Sequence, residues 1–209
     1  MREHALCLLF EGLQCPICHA AMDAFGDHSV GCGGNGDRIH RHDSLRDTLF
    51  SAAQSAALAP RKEVPSLIPG SRSRPADVYL PFWKRGQPAA MDVTVISILQ
   101  RQTLAGASMT QGHALTVGED RKMAAHAATC RAVGVPFIPL VVESIGGWSD
   151  RAVDTIQNFG RLLGQRNGSP PAESTTHLFQ RLSIVLWKGN ATMWIRRTPI
   201  RPAELDGIV

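Results

Sequence analysis

The chain has 209 residues, of which 44% are hydrophobic and 19% charged, and its net charge at pH 7 is +4. This length suits one globular domain with a small appendage. The longest apolar stretch, residues 135–142, is too short to span a bilayer and contains Pro136 and Pro139, which excludes a membrane-spanning protein. The N-terminus lacks a signal-peptide pattern, so we expect an intracellular protein. The positive charge is compatible with a polyanionic partner, although charge alone favours an ordinary basic surface.

A cysteine-rich segment near the N-terminus has the spacing of a zinc knuckle. In the stretch CPICHAAMDAFGDHSVGC, two residues separate Cys15 from Cys18, and three separate His28 from Cys32. Two thiolates in a C-x2-C turn can hold one zinc ion, and the second pair completes a tetrahedron. A disulfide is the alternative, and His19 is a competing imidazole. Because four protein ligands leave no open position for chemistry, the spacing favours a structural zinc site.

The rest of the chain alternates between helical and strand-like segments. A helix capped by Asp43 or Ser44 and ended by Pro60 follows a glycine-rich connector. We then expect strands at residues 61–68, 76–82 and 89–97, a mobile loop at 100–113, a helix at 118–133, a buried central strand at 135–143, and helices at 149–163 and 176–194. This order predicts an α/β protein in which helices flank one sheet.

Two neighbouring strand-like segments each carry one aspartate. Asp77 opens the run ADVYL, and Asp92 lies in AMDVTVI. Two carboxylates brought together on neighbouring strands are what a divalent cation needs. Glu63, on the first predicted strand, could join them as a third acid, and an ordinary surface role is its alternative. The pattern therefore predicts a divalent-cation site at Asp77 and Asp92.

Many metal-dependent nucleases place a lysine two residues after the second acid, where this chain has Thr94. A cation must then come from elsewhere. On the predicted helix at 118–133, Lys122 and His126 are four residues apart and share one face. If this helix crosses over the sheet, Lys122 can reach Asp92. A solvated lysine on an amphipathic helix is the alternative, and Lys84 and Arg85, in a predicted turn, are other candidate cations.

The order of these motifs resembles a known arrangement. CPIC…H…C, RHDSLRD, RPADV, MDVTV, a helix bearing Lys122, and VPFIPLVVESIGGW resemble the end of non-LTR retrotransposon polyproteins. In those proteins a CCHC zinc knuckle precedes a PD-(D/E)xK restriction-endonuclease-like domain, after the reverse transcriptase. The chain departs from the pattern at Ala76, where a proline is frequent, at Thr94, as is common in the retroelement branch, and at His126.

The resemblance implies a restriction-endonuclease-like core, a central mixed sheet flanked by helices, at residues 41–165. An N-terminal knuckle segment would occupy residues 1–40, and a linker with a C-terminal helix residues 166–209. It also implies a DNA endonuclease in which Asp77 and Asp92, with the Val93 carbonyl, hold Mg²⁺ or Mn²⁺. Lys122 would position the attacking water or neutralise charge in the transition state.

The same resemblance implies the partners. Four basic residues are candidate contacts to nucleic acid, namely Arg41, His42, Arg72 and Arg74. Capping or surface roles are the alternatives for His42 and for His40. The partner would be DNA, with RNA as the alternative, and a reverse transcriptase could belong to the same polyprotein. We expect no membrane partner and a nuclear location.

Two other functions fit the same residues. The chain could bind nucleic acid through the knuckle and arginines without cleaving it, which a nuclease assay with Mg²⁺ or Mn²⁺ would reveal. It could also be a protein-interaction or structural module in which the charge is incidental, and salt-dependent DNA binding would argue against that.

Overall fold

The computed structural model describes residues 13–23, 26–65, 67–70 and 74–197. Within these ranges the protein is a mixed α/β structure with a four-stranded mixed sheet flanked by helices. A small segment with cysteine and histidine side chains precedes the first long helix. None of the helices in these ranges is long and apolar enough to cross a membrane.

The helices and strands follow each other in an order close to the expected one. In chain order they are α1 (Asp27–Gly31), α2 (Asp37–Ser55), β1 (Arg61–Lys62), β2 (Val78–Leu80), β3 (Ala89–Ile96), α3 (Leu104–Met109), α4 (His113–Ala132), β4 (Phe137–Glu143), α5 (Asp150–Asn167) and α6 (Pro171–Ile195). A short 3-10 helix, Lys84–Gly86, joins β2 to β3.

The sheet has the strand order β1-β2-β3-β4. β1, β2 and β3 are antiparallel neighbours, and β4 runs parallel to β3. A parallel pair needs a crossover connection, which α3 and α4 supply here. The prediction that β4 is a central strand is wrong for the described residues, because its one strand neighbour is β3. β4 is nevertheless largely buried, since α4 and α5 both pack against it.

The main core lies between the sheet and the helices α2, α5 and α6. Leu45 and Leu49, which belong to the predicted apolar stripe of α2, are fully buried. They join Phe159 of α5 and the leucines Leu182 and Leu186 of α6 in one hydrophobic cluster. The C-terminal helix is therefore an integral part of this core.

Several elements differ in their bounds from the expectation, and two of these differences have a physical reason in the structure. α2 begins at Asp37, six residues before the predicted cap, because Asp37 is bound by Arg197 and Arg196 at the end of α6. β1 stops after Lys62 because Glu63 adopts a left-handed backbone conformation, with φ 42°. The predicted loop contains α3, a helix of six residues.

Helix α4 lies close to the sheet at Gly118. A Cβ atom at this position would approach Val141 Cγ1 of β4 to 2.8 Å and Ile96 Cδ1 of β3 to 3.4 Å. The missing side chain thus permits the close approach of helix and sheet. Lys122 follows one turn later on the same face, so this approach also determines how far Lys122 extends over β3.

We predict that Gly118→Ala destabilises the protein, although alanine is better by about 1 kcal/mol in an ordinary helix. The added methyl group would overpack against Val141, and such changes cost about 1–3 kcal/mol. The free energy of unfolding in urea measures the effect. Val141→Ala removes the facing methyl groups, so the double variant should lose less stability than the sum of the single losses. A Gly118→Ala protein as stable as the parent would contradict this packing.

Candidate metal centres

The two aspartates lie next to each other at one position of the sheet. Val78 of β2 pairs with Met91 of β3, and the same register continued by one residue sets Asp77 opposite Asp92. The Asp77 carboxylate turns toward β3, where its Oδ2 accepts a hydrogen bond of 2.7 Å from the backbone N–H of Val93. Asp92 is 7% exposed. Two carboxylates are thus held side by side in a largely buried position.

The surroundings of Asp92 raise the pKa of its carboxyl group. Burial raises the pKa of the Asp92 carboxyl, and the nearby charge of Asp77 raises it further. The ammonium of Lys122 and the hydroxyl of Thr94 act in the opposite direction without cancelling the rise. An additional positive charge close to Asp92 would favour its ionised form, and a bound metal ion would be one such charge.

Lys122 supplies a cation at Asp92. Its Nζ lies 2.9 Å from Asp92 Oδ2 and 3.1 Å from Oδ1. Thr94, two residues after Asp92 on β3, donates a hydrogen bond of 3.1 Å to Asp92 Oδ2. The alternatives, Lys84 and Arg85, are exposed in the 3-10 helix, and Lys84 lies over the Trp83 ring. Lys122 of α4 therefore lies beside Asp92, which is one of the two positions that the sequence left open for it.

His42 of α2 makes a second cationic contact that the sequence did not suggest. Its Nε2 is 3.1 Å from Asp77 Oδ2 and 3.1 Å from the Val93 carbonyl oxygen, and its Nδ1 is 3.1 Å from Asp43 Oδ1. An imidazolium can donate from both nitrogens to these acceptors. The hydrogen bond to Asp77 raises the pKa of His42 to about 9 against the opposing effect of burial, and Asp43 adds to the rise.

Glu63, the candidate third acid, is bound by arginines. Its carboxylate accepts hydrogen bonds from Arg46 Nη1 at 2.5 Å and Arg74 Nη1 at 3.2 Å. Arg46 also contacts Asp43, the partner of His42. Within the described parts of the chain, the Glu63 carboxylate makes no hydrogen bond to Asp77 or Asp92. The Glu63 carboxylate is linked to Asp77 through a chain of ion pairs, and the Glu63 backbone N–H donates a hydrogen bond of 3.2 Å to the Asp77 carbonyl oxygen.

The predicted nucleic-acid contacts are dispersed. Arg74 is exposed beside Glu63. Arg41 is 5% exposed, and its Nη1 donates a hydrogen bond of 2.6 Å to Asn190 of α6, so it lies between two helices and not on the open surface that was expected. His42 faces the aspartate pair, as described above. Arg72 lies outside the described residues.

The cysteine and histidine residues of the predicted knuckle form a cluster. The ligand atoms of Cys15, Cys18, His28 and Cys32 all lie within 4.8 Å of one another, so these four residues could hold a metal ion such as zinc. Cys18 Sγ is 3.2 Å from His28 Nε2, and Cys15 Sγ is 3.8 Å from Cys32 Sγ. A disulfide needs about 2.05 Å, so these thiols are free. His19 is not part of the cluster.

The end of α6 holds this cluster against the α/β core. Trp194 Nε1 donates a hydrogen bond of 2.8 Å to the Gly26 carbonyl, which directly precedes α1. Arg197 is fully buried between Asp37 and the cluster. Burial opposes ionisation of Cys32, but hydrogen bonds from Arg197 and the Gly34 backbone outweigh it and lower the pKa of Cys32 to about 6. A thiolate, the form that binds metal, is thereby favoured.

Comparisons with known proteins identify no family for this chain. The chain matches no model of a known protein family, and no curated protein matches its sequence.

We predict that the purified protein contains one zinc ion and that His28→Ala loses it. The remaining three ligands should release the metal to a mild chelator, and the segment around the cluster should lose its structure because metal binding and folding are coupled. Elemental analysis after dialysis measures the metal. His19→Ala is the matched control and should retain zinc. The ligand set is wrong if His28→Ala retains all of its zinc, or if His19→Ala loses zinc and His28→Ala does not.

We also predict that His42 titrates near pH 9 in protein without added Mg²⁺ or Mn²⁺, instead of near its ordinary 6.5. Because the folded-state pKa is the higher one, protonated His42 contributes its full stabilisation below about pH 6.5 and loses it as pH rises through about 9. NMR titration of the imidazole, assigned with His42→Gln, measures the pKa. Asp77→Asn should lower this pKa more than Asp43→Asn does. A pKa near 6.5, or one insensitive to Asp77→Asn, would contradict the contact.

Proposed function

We propose that the protein is a divalent-metal-dependent DNA endonuclease that hydrolyses phosphodiester bonds and nicks its target DNA. The observation that carries the proposal is the contact of Lys122 with Asp92 beside Asp77. Two carboxylates and one ammonium group, from the residue before β2, from β3 and from α4, converge at one position of the sheet. A buried carboxyl group whose pKa is raised by burial and by a second acid is more typical of a functional site than of a structural one.

The donor set fits Mg²⁺ or Mn²⁺. The carboxylates of Asp77 and Asp92 and the carbonyl of Val93 are hard oxygen ligands, which these ions prefer. Asp77 Oδ2 and the Val93 oxygen are both 3.1 Å from His42 Nε2, so one small group can contact the two of them together. When bound, the metal would polarise a phosphoryl oxygen and lower the pKa of an attacking water.

The protein's own side chains have separate parts in this proposal. Lys122 favours the ionised form of Asp92 and offers an ammonium group that can hold a water molecule or stabilise negative charge on the phosphoryl group. Thr94 orients Asp92 through its hydrogen bond to Oδ2. His42 holds Asp77 against β3 and keeps a positive charge beside the two acids. The ammonium group thus acts from α4 in place of the strand lysine.

The proposal includes the restriction-endonuclease-like fold and the retrotransposon type. A mixed sheet flanked by helices, the paired aspartates and the four-residue cluster ahead of them support it, together with the motif order in the sequence. In this proposal the zinc would be structural and would stabilise the N-terminal segment. The partners would be DNA in the nucleus and a reverse transcriptase of the same polyprotein.

A second candidate function is nucleic-acid binding without cleavage. One observation favours it: both carboxylates already have a cationic partner, Asp77 in His42 and Asp92 in Lys122. Such pairing satisfies the acids without a metal. A protein of this kind would bind DNA in a salt-dependent manner, and Mg²⁺ or Mn²⁺ would produce no cleavage.

We predict that Lys122→Ala lowers the turnover of DNA nicking by about a hundredfold or more and changes DNA affinity little, because the ammonium group acts mainly in the transition state. Lys122→Arg should restore activity only in part, since a planar guanidinium cannot reproduce a compact ammonium group. Nicking of supercoiled plasmid with Mg²⁺ or Mn²⁺ measures turnover, and fluorescence anisotropy measures affinity.

The control for this experiment is Arg166→Ala, which removes an exposed cation from the last turn of α5 and should leave nicking unchanged. Asp77→Asn and Asp92→Asn should both be inactive and still bind DNA. Normal nicking by Lys122→Ala would show that the lysine has no catalytic part. Absence of nicking in the parent protein, together with intact DNA binding, would favour the second candidate function.

A further inference from the structure

A second charged site lies between α2 and α6, in a cavity of about 380 Å³. Liquid water occupies roughly 30 Å³ per molecule, so the cavity could hold on the order of ten waters. Neither Asp77 nor Asp92 lines it. Its charged lining residues come from the two helices and the residue after α6, namely Asp37, Arg41, Lys188 and Arg196. We call it the α2–α6 cavity.

The central feature of the α2–α6 cavity is the buried guanidinium of Arg41. Arg41 is 5% exposed, and Asn190 Oδ1, at 2.6 Å, is its one hydrogen-bond acceptor among residues whose placement is described. Its Nε has no partner in that part of the chain. Burial, together with the charges of Arg38 and Arg197, lowers the pKa of Arg41 to about 10. A buried cation without a counter-charge is costly, so an anion bound in this cavity would stabilise Arg41.

The surroundings of Arg41 hold it in this position. A Cβ atom on Gly189 would approach Arg41 Cγ to 2.6 Å, so the absence of a side chain there makes room for the arginine stem. A glycine inside a helix costs about 1 kcal/mol. The next residue, Asn190, donates from Nδ2 to the Ser144 carbonyl at 2.7 Å, which directs its Oδ1 to Arg41. These contacts therefore fix the position of the Arg41 guanidinium.

The charges lining the cavity do not balance. Asp37 is the one acid in the lining, and it is bound by Arg196 and by Arg197. Both Arg41 and Lys188 lack an acidic partner among the described side chains. Lys188 is exposed at the cavity wall, one residue before Gly189. An anion entering from solvent would thus meet one exposed ammonium group and one buried guanidinium.

We infer that the α2–α6 cavity binds a phosphate group and that the backbone of a nucleic acid supplies it. A guanidinium presents donors in a fixed fork that suits phosphate oxygens, and a lysine adds a point charge. Arg41 directly precedes His42 on α2, so one helix contributes to both sites, and the two side chains point to different sides of it, Arg41 to α6 and His42 to Asp77. This site requires no divalent metal, and the inference does not depend on cleavage.

The test uses the full zinc-loaded chain without Mg²⁺ or Mn²⁺. Inorganic phosphate is titrated at constant ionic strength, by calorimetry and by NMR, into the parent protein and Lys188→Glu. Lys188→Glu removes a charge-assisted contact and puts a repelling carboxylate in its place. It should therefore weaken phosphate binding by about tenfold or more. Arg166→Glu makes the same charge change for an exposed arginine of α5 and should bind phosphate like the parent. Arg41→Met should abolish binding if circular dichroism shows that it folds.

A short DNA duplex, followed by anisotropy over a range of salt concentrations, identifies the source of the phosphate. If Lys188→Glu weakens DNA binding as well and reduces the salt slope by about 1, the nucleic-acid backbone is the ligand. If it weakens only the binding of inorganic phosphate, the site takes a free anion and the assignment to nucleic acid is overturned. Absence of saturable phosphate binding, or equal binding by the parent and Lys188→Glu, overturns the site itself.

Asp92→Asn separates this inference from the proposed nuclease function. The variant should lack nicking activity and bind phosphate with the affinity of the parent, since Asp92 does not line the cavity. Phosphate binding that disappears in Asp92→Asn would mean that the anion binds at the aspartate site, and the inference would fail.

Discussion

The juxtaposition of Asp77 and Asp92 is the constraint on which the candidate site depends. The antiparallel register of β2 and β3 sets the two carboxylates opposite each other, and the Val93 N–H fixes Asp77 in that place. Burial raises the pKa of Asp92, and the nearby charge of Asp77 raises it further. Positive charge beside the pair lowers the cost of keeping both acids ionised. α2 and α4 supply this charge.

Each helix brings one cation to one acid. α4 crosses from β3 to β4, lies close to the sheet where Gly118 has no side chain, and places Lys122 on Asp92 one turn later. α2 packs its leucines into the core and directs His42 to Asp77. The two ion pairs stabilise the acids when no metal is bound, and they leave the Val93 carbonyl and both carboxylates near one another. A divalent metal would then compete with His42 for Asp77, which links metal binding to the protonation of this histidine.

The sequence predicted the parts of this arrangement that depend on local periodicity. The strand-like runs predicted the pairing of Asp77 and Asp92, and the C-x2-C and H-x3-C spacings predicted the four residues of the Cys/His cluster. Helical spacing alone left Lys122 open between a solvated residue and a partner of Asp92, and the resemblance favoured the second. The parts that depend on distant contacts were missed. Asp37 begins α2 because Arg197, which is 160 positions away in sequence, binds it. The RHD motif made Arg41 and His42 candidates. It did not show that the Arg41 side chain faces α6 and the His42 side chain faces Asp77, because this follows from the packing of α2 between the sheet and α6.

Anomalous diffraction from crystals soaked in Mn²⁺ would test the central claim most directly. The account predicts a manganese peak bounded by the Asp77 and Asp92 carboxylates and the Val93 carbonyl oxygen, with His42 displaced from Asp77 and Lys122 still beside Asp92. A zinc signal at the four-residue cluster in the same crystals would serve as the internal reference. A clear zinc peak with no manganese at the aspartates, and with His42 still bound to Asp77, would contradict the account.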